Sequence, residues 1–99
     1  MDIVASVSGG LRLRDPAADL AVLAALASAV ADRPLPRGTA YLGEVALSGA
    51  IRPVQQPQRR LGELARMGFT NALVPPGTPP VEGMTLTPVR TVREALVSP

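Results

Sequence analysis

Residues 15–32, which read DPAADLAVLAALASAVAD, predict the helix around which the rest of this chain folds. Asp15 is a good N-cap because its carboxylate can accept hydrogen bonds from the free N–H groups of the first turn. Pro16 suits the first helical position, where an N–H is not needed. From residue 20 to residue 31 every residue except Ser28 is apolar. A helix that is apolar all round has to be covered on more than one side.

Strands and helices alternate along the remainder of the chain. Apolar runs rich in β-branched residues predict strands, and prolines and glycines predict the turns between them. The predicted strands are residues 2–8, 11–14, 39–47, 50–54, 69–74 and 84–89, and further helices are predicted from Pro57 to Met67 and after Thr91. This alternation indicates one α/β (α+β) domain over residues 1–99, with a mixed sheet packed against helices.

Three short motifs predict local geometry. Ser48-Gly49 lies between two predicted strands and favours a hairpin turn in which the glycine takes a positive φ. Gly68 is typical of the residue that follows a helix. Thr91 and Glu94 have the spacing of a capping box at the start of a short terminal helix.

The composition excludes several kinds of chemistry. The chain has no cysteine, histidine or lysine, and its ten basic residues are all arginines, set against eight acidic residues. Without cysteine there is no disulfide or zinc–thiolate site, and the cytoplasm is the expected compartment. The N-terminus lacks the basic region of a signal peptide, and the apolar run of the first helix is too short to cross a membrane. No cofactor is expected.

The residues that remain give few catalytic options. The serines have no histidine or lysine to take their proton, and an arginine is not deprotonated in proteins. Gly9-Gly10 lacks the lysine and spacing of a phosphate loop and is interpreted as a turn. The alternative is an acidic site for Mg²⁺ or for general acid–base catalysis, formed by Asp15, Asp19 and Glu44. The start of the helix already explains Asp15 and Asp19, however.

Arginines are the candidates for contact with nucleic acid. A DNA-binding face would consist of Arg12, Arg14, Arg59, Arg60 and Arg66. Single-strand binding also needs aromatic side chains for stacking, and neither aromatic residue lies near an arginine run in the sequence. A solvated face is the competing interpretation.

Several linked motifs resemble one family. They are VSGGLR at residues 7–12, DPAADLA at 15–21, GEVALSGAIRPV at 43–54, Arg59-Arg60-Leu61, Gly68-Phe69, and PVRTVREAL at 88–96. In this order they resemble the C-terminal Lon-protease-like domain of the RadA (Sms) family of bacterial DNA repair proteins. The resemblance covers nearly the whole chain and implies a Lon-protease-like fold whose opening strands would lie upstream of Met1.

The resemblance also implies that the domain is not a peptidase. Lon proteases have a catalytic serine at the position of Ala17 and a catalytic lysine at the position of Arg60. A methyl group cannot attack a peptide, and an arginine cannot act as a neutral base. The family's cysteine-rich zinc segment and P-loop ATPase have no counterpart in this sequence.

We therefore expect a non-catalytic Lon-like scaffold that self-associates or supports a RecA-type ATPase in DNA repair and recombination. The alternative is an arginine-dependent DNA-binding module, and a serine peptidase is the third hypothesis. No membrane partner is expected.

Overall fold

The helix that begins after Asp15 forms as predicted in the computed structural model, which describes residues 15–97. Asp15 Oδ1 accepts a hydrogen bond from the Ala17 N–H at 3.2 Å, and Pro16 opens a 3₁₀ turn over Pro16–Ala18. Helix α1 then runs over Asp19–Ala31. The strands predicted at residues 2–8 and 11–14, and with them Gly9-Gly10, lie outside the described residues.

The remaining elements follow in an alternating order. They are β1 (Thr39–Tyr41), β2 (Glu44–Val45), β3 (Ile51–Arg52), α2 (Pro57–Arg66), β4 (Asn71–Val74), β5 (Thr85–Pro88) and α3 (Val92–Val97). Strands β1, β4 and β5 form a parallel sheet in the order β1-β4-β5, and β2 pairs with β3 as an antiparallel hairpin. The predicted α/β class, with strands in both directions and helices packed against the sheet, is confirmed.

The predicted strand at residues 39–47 is divided at Leu42 and Gly43. The Leu42 N–H donates to the Leu73 carbonyl at 3.0 Å and so still follows the parallel sheet. The Gly43 N–H donates instead to the Ala17 carbonyl, and the Gly43 carbonyl accepts from the Leu20 N–H, both at 3.0 Å. The chain leaves the sheet here because the start of α1 takes its hydrogen bonds, and beyond this point the hairpin turns at Gly49 with φ +89 as predicted.

The core lies on both faces of β4, because alternate residues of a strand point to opposite sides. Ala72 and Val74 join a cluster that includes Leu61 of α2. Leu73 joins a second cluster, which contains Leu20 of α1 and Ala95 of α3. The parallel sheet therefore separates α2 from α1 and α3.

The rest of the fold covers less of helix α1 than its apolar composition predicts. Leu20 and Ala24 are buried, whereas Val30 is 89% exposed. None of the helices within residues 15–97 has the length and hydropathy that a bilayer crossing requires.

The terminal helix has the predicted cap. Thr91 Oγ1 accepts a hydrogen bond from the Glu94 N–H at 3.1 Å. The Glu94 carboxylate reaches one residue further back than in a standard capping box and accepts from the Arg90 N–H at 2.6 Å. The N-terminal end of this short helix is thus held by two side-chain hydrogen bonds.

Candidate functional site

A cavity of about 310 Å³ opens between the start of α1, the hairpin and the start of α2. Its lining consists of Asp15, Pro16, Ala17, Glu44, Pro53, Val54, Gln55 and Arg60. The two positions that the family resemblance singled out, Ala17 and Arg60, therefore lie in the same cavity although they are 43 positions apart in the sequence. The 3₁₀ turn places Ala17, and the first turn of α2 places Arg60.

The Arg60 side chain is held by two acceptors. Its Nη1 lies 3.0 Å from Asp15 Oδ2, and its Nε donates to the Gln55 carbonyl at 2.7 Å. The backbone turns sharply just before α2, where Gln56 has a φ of 51° and leads into Pro57 at the first helical position. This turn brings the Gln55 carbonyl within reach of the guanidinium, whose planar fork can bond two partners at once.

The lining offers little for group-transfer chemistry. Among the lining residues in the described part of the chain, none carries a hydroxyl, thiol, amine or imidazole group. Ala17 is 4% exposed and contributes only a methyl group. An arginine side chain is not deprotonated in proteins, so Arg60 cannot serve as a base.

The acidic alternative is only partly assembled. Asp15 and Glu44 line the cavity, but the Asp15 carboxylate is already bonded to Arg60 and to the Ala17 N–H. Asp19 is engaged elsewhere, because its Oδ2 accepts a hydrogen bond from the Val45 N–H at 3.1 Å and ties α1 to the hairpin. Over residues 15–97 no group of three potential metal ligands comes together.

We expect a small coupling energy between Asp15 and Arg60. The two side chains are 47% and 34% exposed, so solvent screens their attraction, and a double-mutant cycle with Asp15→Asn and Arg60→Gln should give about 0.2–1 kcal/mol. The matched control is the i,i+4 pair of Arg59 and Glu63, at 3.8 Å and more exposed, which should couple more weakly. A coupling for Asp15 and Arg60 no larger than that of the control would show that the pair does not hold the cavity together.

The arginines proposed for DNA contact have different surroundings. Arg59 pairs with Glu63 and Arg60 with Asp15, while Arg66 is exposed; Arg12 and Arg14 lie outside the described residues. Six exposed arginines have no carboxylate of residues 15–97 within 4.0 Å: Arg33, Arg37, Arg52, Arg66, Arg90 and Arg93. Sequence reasoning missed five of these, because they are scattered singly rather than in runs.

A second cavity, of about 230 Å³, lies beside the C-terminal half of α1. Tyr41 and Arg33 both line it, together with Leu96 of α3. The fold thus places an aromatic ring near an arginine, which their separation in the sequence did not indicate. Burial raises the pKa of the Tyr41 hydroxyl above its ordinary value of 10.0.

An alkaline titration should detect this shift directly. The chain has one tyrosine and no tryptophan, so tyrosinate absorbance reports Tyr41 alone, and we expect a midpoint above 10.0 in the folded protein. Because the folded-state pKa is raised, the stability linked to this group is complete below pH 10.0 and is lost as the pH rises through the folded-state value. The same titration in denaturant is the control, and coincident midpoints would contradict the burial of the ring.

Comparison with known proteins points to one kind of relative. No family model matches the chain. It is 53% identical to the DNA repair protein RadA of Mycobacterium tuberculosis over 80 aligned residues. These aligned residues cover 81% of this chain and 17% of that protein. It is also 42% identical over 98 residues to the DNA repair protein RadA of Escherichia coli, which covers 96% of this chain and 21% of the relative. The RadA of Aquifex aeolicus is 40% identical over 96 residues, covering 96% and 22%. The chain thus spans about a fifth of the length of these relatives.

Proposed function

We propose, on the premise that this chain is homologous to a stretch of the DNA repair protein RadA, that it acts in DNA repair as a non-catalytic module. The module binds either further copies of itself or a RecA-type ATPase, and in the second case the ATPase is the catalytic partner. The fold of the module is Lon-protease-like, with the peptidase positions occupied by residues that cannot catalyse. The ATPase partner in this proposal is what the family resemblance implies.

The cavity shared by Ala17 and Arg60 carries this proposal. A serine peptidase needs a hydroxyl group next to a base that can take its proton. At the two corresponding positions this cavity has a methyl group and a guanidinium that is bonded to Asp15. The ion pair gives Arg60 a structural use, since it joins the start of α1 to the start of α2.

We expect no peptidase activity from the chain. A fluorogenic peptide or casein should be cleaved no faster than in buffer, with a known serine peptidase as the positive control. Ser28→Ala and Ser48→Ala variants complete the experiment, because these are the serines within residues 15–97. Turnover that either variant abolishes would show that the module is an enzyme.

Self-association is tested by multi-angle light scattering on the full chain across micromolar concentrations. We expect a mass that rises above the 10.2 kDa of one chain as the concentration increases. A mass that stays at that of one chain at every concentration would contradict self-association. Binding to an ATPase partner would then be the part of the proposal that remains.

The six exposed arginines support DNA binding as a second function. Each phosphate that an arginine neutralises releases counterions, so the affinity should fall steeply between about 50 and 200 mM salt. Arg66→Gln and Arg59→Gln each remove one exposed positive charge and should both weaken binding, because the exposed Arg59–Glu63 pair at 3.8 Å is too weak to withhold Arg59 from a phosphate. Fluorescence anisotropy with labelled duplex DNA measures both, and binding that is absent or insensitive to salt would exclude this function.

A further inference from the structure

The outer edge of strand β5 is the edge that faces away from β4. Within residues 15–97, β5 is the last strand of the parallel sheet, and no strand pairs with this outer edge. The N–H and C=O groups along such an edge are a template on which another chain can add a strand. The hydrogen bonds between β5 and β4 decide which of these groups the outer edge presents.

Alternate residues of β5 turn their backbone groups toward β4. The N–H groups of Thr85 and Val89, at the two ends of the strand, donate to carbonyls of the neighbouring segment at 2.9 and 2.8 Å. Thr87 lies between them in the same parallel register, so its N–H has the same direction. The backbone groups of Leu86 and Pro88 therefore point toward the outer edge.

Pro88 lies at a position where its missing N–H costs the sheet no hydrogen bond. Proline within a sheet is confined to places where the absent donor would have faced away from the neighbouring strand. Position 88 meets this condition, because its backbone faces away from β4. As a result, Leu86 is the only residue of β5 whose N–H is directed outward.

The outward positions on either side of the strand are closed as well. In the turn before β5, the Met84 N–H donates to the Val81 carbonyl at 3.2 Å. Beyond the strand, the Arg90 N–H donates to the Glu94 carboxylate at 2.6 Å, and the Arg90 carbonyl accepts a hydrogen bond from the hairpin at 2.8 Å. An added strand needs a series of donors and acceptors, and this edge offers one complete pair, at Leu86.

We propose that Pro88 protects the outer edge of the sheet by preventing β5 from pairing with a strand of another chain. The side chain of Pro88 is exposed, so its ring is not needed to fill the core. Pro75, at the end of β4, is fully buried and shows the contrasting case of a proline that packs inside. The inference is independent of the proposed function, because it concerns a contact that the unaltered chain avoids.

Pro88→Ala tests the proposal, because alanine restores the N–H and presents less apolar surface than proline. We expect β5 to pair between copies of this variant, so that the Leu86 amide exchanges about tenfold more slowly at high than at low protein concentration. In the unaltered chain the same amide should exchange rapidly at every concentration. Pro79→Ala is the control, since Pro79 is exposed in a loop outside the strands. Hydrogen exchange followed by NMR on the full chain measures each amide.

A second variant distinguishes edge pairing from other kinds of association. Thr87→Lys in the Pro88→Ala background places a charge on the edge strand, where lysine opposes pairing, and should restore rapid exchange at Leu86. The amide of residue 87 faces β4, so it should stay protected in every variant that folds correctly and serves as an internal control. Association through any other surface would leave the exchange of the Leu86 amide unchanged.

The outcomes are distinguishable. Concentration-dependent protection of Leu86 in Pro88→Ala, absent from Pro79→Ala and reversed by Thr87→Lys, supports the proposal. Rapid exchange at Leu86 in Pro88→Ala at all concentrations overturns it. Slow exchange of this amide in the unaltered chain shows that the edge is already covered and also overturns it. Loss of protection at residue 87 in Pro88→Ala shows that the proline serves to stabilise β5 itself, which again overturns the proposal.

Discussion

Replacing Leu61 with alanine is expected to lower the free energy of unfolding by about 2–5 kcal/mol. Leu61 is fully buried on α2 and packs in the cluster that contains Ala72 and Val74 of the central strand. Its removal leaves a cavity in a cluster whose other buried members include Ala17, Ala40 and Ala72, and the cost depends on how far the larger side chains of the cluster can move into the space. A domain of this size is stable by about 5–15 kcal/mol, so the loss is a large share of the total. Urea unfolding followed by circular dichroism measures it.

Met67→Ala provides the control for this substitution. Met67 follows the same helix but is 73% exposed, and its replacement should change the stability by no more than about 0.5 kcal/mol. Equal effects from the two variants would mean that α2 is not docked on the sheet. Since α2 carries Arg60, this residue would then have no fixed position in the cavity that it shares with Ala17.

Local signals predicted the boundaries of several elements. Asp15 and Pro16 start the first helix, Gly49 turns the hairpin, and Thr91 caps the terminal helix, as the structure confirms. Each of these signals depends on hydrogen bonds or backbone angles within a few residues. Short-range chemistry of that kind can be inferred from a single sequence.

Contacts between distant residues could not be inferred in the same way. The predicted strand at residues 39–47 breaks because Gly43 bonds to the start of α1, more than 20 residues away in the chain. The start of the first helix accounts for Asp19 in the sequence, yet its carboxylate also accepts a hydrogen bond from the Val45 N–H. A propensity or a periodicity carries no information about such partners.

The same distinction between short-range signals and contacts of distant residues applies to the candidate site. No pattern in the residues themselves connected Ala17 with Arg60; the family resemblance did, and the structure places both in one cavity. The Asp15 partner of Arg60 was not predicted by either route. For DNA contact, Arg59 and Arg60 have intramolecular carboxylate partners while Arg66 does not, so direct contact stays a prediction that the salt experiment has to decide.

Gly43→Ala is expected to lower the free energy of unfolding by about 1–3 kcal/mol. A Cβ at this position would lie 2.6 Å from Cγ2 of Ile51, which is 6% exposed. Ile51 cannot easily yield, since a β-branched side chain has few χ1 positions. The Gly43 backbone cannot yield either, because Ala17 and Leu20 hold it by two hydrogen bonds of 3.0 Å.

Gly62→Ala is the matched control and should have the opposite sign. Gly62 lies within α2, where an added Cβ meets nothing within 4 Å, so alanine should stabilise the helix by about 0.5–1 kcal/mol. Thermal unfolding of both variants, together with Gly43→Ala in an Ile51→Ala background, separates steric overlap from a general intolerance of substitution. If the overlap is the cause, removing Cγ2 of Ile51 should make the alanine at position 43 much less costly. If alanine at position 43 is equally destabilising in the Ile51→Ala background, steric overlap with Ile51 does not explain the loss of stability. The hairpin wall of the Ala17 cavity would then be held in place by other contacts.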